Sequence, residues 1–132
     1  AVATPTSYRP DPHIWRQAIQ QAKAHGARLT WSAHPEEAVR GADVLYTDVW
    51  TSMGQEHERQ ARLRAFRGFQ INARLLSKAK RHAIVMHCLP AHRGEEITNE
   101  AVESRQSAVF DQAENRLHVQ QALLTLLYRR TR

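Results

Sequence analysis

Apolar positions along this chain recur in two rhythms. Short runs such as residues 43–47 and 83–86 hold three or four apolar residues in a row between polar or turn-forming neighbours, which reads as strand. Longer stretches repeat at helical spacing. After a short first strand, Asp11 stands as an N-cap with Pro12 at the first helical position. Ile14, Trp15, Ala18, Ile19 and Ala22 then follow on one face until Gly26 closes the helix. Residues 28–31 alternate as a strand, and residues 34–39 form a short helix opened by Pro35 and stopped by Gly41. Beyond the strand at 43–47, the pattern predicts a polar helix over 55–66, another over 72–79 and a buried strand at 83–86. A last short strand at 107–110 precedes a long helix over 113–130. Alternation of this kind predicts an α/β fold, a three-layer Rossmann-like parallel sheet with helices on both faces.

The final helix stands apart. Leu117, Ala122, Leu123, Leu124, Leu126, Leu127 and Tyr128 make it apolar on more than one stripe, and such a helix needs more than one packing partner.

Composition sets bounds on function. A chain of 132 residues with 42% apolar content is one domain's worth and can bury a core. Its single cysteine, Cys88, rules out a disulfide framework and suits a reducing compartment. No apolar run approaches a membrane span and no secretory signal is visible, so no membrane partner is expected. The net charge of +6 is unevenly spread: from Arg59 to Gly94 there is no acidic residue, while Arg59, Arg62, Arg64, Arg67, Arg74, Lys78, Lys80, Arg81 and Arg93 all fall there. Nucleic acid is not the expected partner, because this stretch lacks interleaved aromatics and any recognition module. It reads instead as a solvated face whose field draws an anionic substrate toward a nearby cleft. A nucleotide-binding sheet would want a Gly-rich strand-to-helix turn, and the five glycines form none.

The densest chemistry lies directly behind the strand at 83–86. Residues 87–98, His-Cys-Leu-Pro-Ala-His-Arg-Gly-Glu-Glu-Ile-Thr, put a thiol, two imidazoles and a guanidinium where open α/β sheets bind ligands, just past a strand's carboxyl end. Cys88 beside His87 could be a nucleophile activated as a thiolate. Metal binding by His87, Cys88 and His92 is disfavoured, because a structural zinc site wants four ligands and there is no second cysteine. Asp48, at the end of the strand 43–47, is either a fixed functional carboxylate or an N-cap or surface loop acid. Arg116, near the start of the last helix, could hold phosphate oxygens or simply pair with Glu114 or Asp111.

Three segments carry a family resemblance. His87-Cys88-Leu89-Pro90 with the following Ala-His-Arg-Gly-Glu-Glu-Ile-Thr resembles the signature of ornithine carbamoyltransferases. Residues 43–56, with Asp48 and Ser52-Met53-Gly54, are similar to the family's ornithine-recognition segment. Residues 111–118, Asp-Gln-Ala-Glu-Asn-Arg-Leu-His, resemble the segment that supplies a phosphate-binding arginine. The resemblance implies that Asp48 holds the ammonium of ornithine and helps keep Cys88 in place. It further implies that Ser52, Met53 and Gly54 sit on a closing loop around the amino acid, and that Arg116 binds phosphate. Cys88 then touches the carbamoyl group without becoming covalently attached, the Leu89 carbonyl orients the attacking nitrogen, and His87 anchors the loop or contacts the carbamoyl group. An unusual peptide geometry at Leu89-Pro90 fits, since X-Pro bonds carry the smallest cis penalty. No metal or organic cofactor is implied.

The family's carbamoyl phosphate motifs, Ser-x-Arg-Thr and His-Pro-x-Gln, are not in this sequence, and neither is its strand ending in Asp-Gly-Asn-Asn. The expectation is an ornithine-binding domain over residues 1–132 that lacks the carbamoyl phosphate lobe and its own first strand. Such a chain would leave a gap in the sheet, expose part of the last helix and be inactive alone. The complete enzyme would be a cytoplasmic homotrimer of arginine biosynthesis, or a mitochondrial matrix enzyme in an animal or fungus. The alternatives are a carbamoyltransferase for another amine such as putrescine, and a non-catalytic amino-acid-binding or regulatory domain.

Overall fold

Parallel pairing of short strands organises the chain, but the strands divide into two separate pairs. The computed structural model describes residues 1–130. Residues 131 and 132, which the sequence reading included in the domain, lie outside the described residues. Strand β1 (Val2–Ala3) pairs with β2 (Trp31–Ser32), and β3 (Val44–Thr47) pairs with β4 (Ile84–His87), both in parallel. In the second pair Val44 faces Ile84, Leu45 faces Val85, Tyr46 faces Met86 and Thr47 faces His87. Both strands therefore end together, with Asp48 and Cys88 as the next residues. Between the two pairs lies a cleft of about 370 Å³, lined by Ala1 and Ala3 on one side and by residues 44–50 on the other.

Helix α1 (Pro12–Ala24) begins as the sequence predicts: Asp11 Oδ1 accepts from the His13 and Ile14 backbone N–H groups, satisfying donors that the first turn leaves free. Helix α2 (Pro35–Val39) follows β2. The polar stretch after β3 divides into a 3-10 turn, Glu56–Glu58, and α3 (Arg59–Ala65). Helix α4 (Ala73–Leu76) is capped by the Asn72 side chain. It is shorter than predicted, because Lys78 and Ala79 turn back onto Leu75 and Leu76 with i→i+3 bonds. Helix α5 (Asn99–Val102), capped by Thr98, has no counterpart in the sequence reading.

Residues 107–110 correct the sequence reading. The apolar Ala108-Val109-Phe110 suggested a strand, yet Ser107 makes a single bridge to Val85 and then its hydroxyl meets the Val109 N–H at 3.4 Å. This turns the chain straight into α6 (Val109–Arg130), four residues earlier than predicted. Burial of Val109 against β4 favours the early start.

The core gathers around β3 and β4. Leu45, Ile71, Leu75, Leu76, Ala83, Val85, Ile97, Ala101 and Val102 form one buried cluster. Helix α1 contributes no buried residue, and every residue of α6 from 113 to 129 is exposed.

Candidate functional site

Because β3 and β4 end in register, the residues that follow them converge. The Cys88 thiol lies beside the Asp48 carboxylate and the Tyr46 hydroxyl. Burial pushes the thiol above its ordinary range, and the neighbouring carboxylate pushes the same way, against a smaller opposing effect of Tyr46. Both leading causes favour the neutral S–H, so Cys88 is suited to donate a hydrogen bond and not to attack as a thiolate. The Tyr46 hydroxyl is likewise raised, with desolvation leading, although the Gln112 amide that reaches it at 3.4 Å pulls the other way. Asp48 itself is exposed, and its Oδ1 accepts from the Val49 N–H at 2.7 Å.

His87 plays a different part from its neighbour. It is fully buried, and its Nδ1 accepts from the Leu89 N–H at 2.9 Å, so the ring hydrogen resides on Nε2. That nitrogen meets Glu96 Oε1 at 3.1 Å, and the same oxygen accepts from the His92 N–H at 2.6 Å. A buried carboxylate thus ties both ends of the loop 88–92 together through one imidazole. Within that loop Leu89 has φ of 52°, the one non-glycine residue with positive φ among those described, and the Leu89-Pro90 peptide is cis. The hydrogen bonds on either side hold Leu89 in this left-handed conformation, which a bulky residue seldom adopts unsupported. From the far side, Gln112 at the start of α6 accepts from the His87 backbone N–H at 3.0 Å.

The Ser52-Met53-Gly54 segment forms a turn standing open at the cleft's edge. The Gln55 N–H bonds the Ser52 carbonyl at 3.1 Å, Gly54 supplies the positive φ of 85° that this turn requires, and the Met53 side chain is 96% exposed. Its root is firm. Trp50 stacks on Phe66 with centroids 5.6 Å apart, and Arg62 of α3 donates to the Trp50 carbonyl at 3.2 Å. The turn is thus an exposed tip on an anchored base.

Arg116 corrects a detail of the sequence reading. With α6 starting at Val109, this residue lies two turns into the helix and exposed, so the helix N-terminus is not at its side. Of the residues singled out in sequence, the structure brings together Asp48, His87, Cys88 and Leu89; Ser52, Met53, Gly54 and Arg116 stand apart from them. Sequence reasoning missed Tyr46, Glu96 and Gln112. Tyr46 could have been found from strand register, since it precedes Asp48 by two and therefore shares its face. Glu96 offered only a faint sign, an acid set directly before the apolar Ile97.

Residues 1–127 match the family described as aspartate/ornithine carbamoyltransferase, Asp/Orn binding domain. The chain belongs to this family. Ornithine carbamoyltransferase of Methanoculleus marisnigri is 58% identical over 127 residues, covering 96% of this chain and 40% of that protein. Among solved structures, ornithine carbamoyltransferase from Pyrococcus furiosus superposes with a TM-score of 0.87 at 51% identity, over 95% of this chain and 40% of that one. Anabolic ornithine carbamoyltransferase from Campylobacter jejuni gives 0.90 at 40% identity, over 97% and 42%. The Asp/Orn-binding domain described here spans about 40% of the length of the curated relatives it matches. Its fold is therefore that of a Rossmann-like α/β domain of these transferases. None of its described helices is long and apolar enough to cross a membrane.

Proposed function

We propose that this domain is the ornithine-binding part of a carbamoyltransferase that moves the carbamoyl group of carbamoyl phosphate to ornithine, giving citrulline and phosphate. The observation that carries the reading is the meeting of Asp48, Cys88 and Tyr46 at the carboxyl ends of β3 and β4. Transfer to an amine needs a held and deprotonated nucleophile, a polarised carbonyl and a stabilised phosphate leaving group. In this reading Asp48 holds the substrate ammonium, and the neutral Cys88 thiol donates toward the carbamoyl group. Leu89 offers its carbonyl to the attacking nitrogen, from a loop fixed by His87 and Glu96. Ser52, Met53 and Gly54 close over the amino acid, and Arg116 meets phosphate.

The carbamoyl phosphate lobe belongs to the rest of the polypeptide, and the cleft between β1 and β3 receives a strand from it. The unpaired strand edges lining that cleft support this, because exposed parallel edges favour pairing with added backbone. The complete enzyme then works as a cytoplasmic homotrimer.

The test is citrulline formation by the 132-residue chain, alone and mixed with the complementary remainder of an ornithine carbamoyltransferase. Activity in the mixture alone, with ornithine preferred over putrescine and lost in Asp48→Ala or Cys88→Ala, is the expected result. A mixture that is folded and associated yet inactive would overturn the reading in favour of a binding domain without catalysis.

A further inference from the structure

Two carboxylates beside the His87 loop each have one oxygen committed and one left over. Glu96 Oε1 accepts from His87 Nε2 and from the His92 N–H, while Glu96 Oε2 is buried without a partner among the described residues. Glu95 Oε1 pairs with the Arg59 guanidinium, while Glu95 Oε2 is likewise buried and unpartnered by a hydrogen bond. The His92 ring stands over them, its Nδ1 3.8 Å from Glu95 Oε2. One donor atom from each of His92, Glu95 and Glu96 falls within 4.8 Å of the others. A buried carboxylate oxygen with no partner is costly, and an ion or water is the usual remedy.

We infer that His92, Glu95 and Glu96 supply three ligands of an open site for a divalent transition metal of the zinc class, with a water as the fourth ligand in place of the fourth side chain that a closed structural site would require. Glu96 is wholly buried and sets the floor of the site, Glu95 is partly buried on its wall, and the half-exposed His92 ring forms its mouth. Bond lengths of about 2.0–2.2 Å put neighbouring ligand atoms roughly 3.3 Å apart in tetrahedral coordination, so donor atoms now within 4.8 Å of one another draw closer on binding. The charge balance fits as well. Two carboxylates face one guanidinium, and His87 is not a cation, because its Nδ1 is occupied as an acceptor. The imidazole selects for zinc-class ions over magnesium or calcium, which prefer oxygen throughout. Sequence reading expected no metal and weighed His87, Cys88 and His92 as ligands; the fold turns His87 inward to Glu96 and brings Glu95 to His92 instead. A bound ion would staple residues 92–96 and so stiffen the loop that carries Cys88.

The experiment is calorimetric titration of the protein with Zn²⁺, followed by the visible spectrum of its Co²⁺ form. One Zn²⁺ per chain is expected. Replacing a ligand, His92→Ala or Glu95→Gln, should weaken this binding beyond the roughly 10–100-fold typical for loss of an outer-shell partner. Cys88→Ser should leave it unchanged, and the Co²⁺ form should lack a thiolate charge-transfer band. Absence of binding, equal binding by the His92→Ala and Glu95→Gln variants, or a thiolate band would each overturn the proposal. Neither substituted residue belongs to the apolar core, and circular dichroism of each variant verifies its fold before titration.

Discussion

The two halves of this domain are built to different standards of packing. Around β3 and β4, nine apolar residues close into one core, and even a histidine and a glutamate are sealed within it with their hydrogen bonds directed at each other. Around β1, β2 and α1, no strand or helix residue is buried, and Ile14 and Ile19 remain 59% and 40% exposed. The same alternation of strand and helix generates both halves. The difference teaches that local pattern forms the elements, while the segments packed against a strand pair decide whether it acquires an interior.

The sharpest way to break this comparison is to cut the same side chain in each half. Ile97→Ala should lower unfolding free energy by about 2–5 kcal/mol, as loss of a fully buried isoleucine does, and Ile19→Ala by no more than about 0.5 kcal/mol. Urea denaturation of the two variants reads the contrast, and equal losses would mean that the halves are equally packed. Next in size is Glu96→Leu, which leaves the His87 Nε2–H and the His92 N–H without acceptors at about 1–3 kcal/mol for each buried donor. Its proton spectrum should also show loss of the protected imidazole N–H. In the open half, α1 is held at its start by a cap. Asp11→Ala should cost about 1 kcal/mol and reduce helical ellipticity, since two N–H groups lose their acceptor.

The smallest effect probes the border between the halves. With the Cys88 thiol held above its ordinary range, iodoacetamide should label it more slowly at pH 8 than it labels an unstructured cysteine peptide. The rate should still be climbing with pH after the peptide's has levelled. The sign follows from the cause: a raised value keeps the thiol protonated to higher pH, and removing the adjacent negative charge lowers it again. Asp48→Asn should therefore speed labelling several-fold at pH 8, and an unchanged or slower rate would show that the carboxylate does not govern the thiol.

Much of this was legible in the residues. Asp11-Pro12 wrote the start of α1, and the runs at 43–47 and 83–86 gave both core strands within a residue. The density of polar groups after the second run marked the site. What escaped notice depended on register between distant segments. Gln112 matters because α6 starts at Val109 and so lays its first turn against His87, which no local signal in 107–110 announces. Glu96 looks like one more surface acid until the turn at Gly94 folds it under the loop. The family resemblance supplied roles for Asp48 and Cys88 that spacing alone left open, and the geometry adds the physical reason for a neutral thiol.

Helix α6 is about 33 Å long at 1.5 Å per residue, and only its first turn rests on the body. A helix so placed draws most of its order from its own backbone bonds, which in water sustain an isolated segment only marginally. Its helical signal is consequently a built-in gauge: far-ultraviolet dichroism should sharpen whenever something covers the exposed leucines at 117, 123, 124, 126 and 127, and fade on warming well before the β3–β4 core gives way.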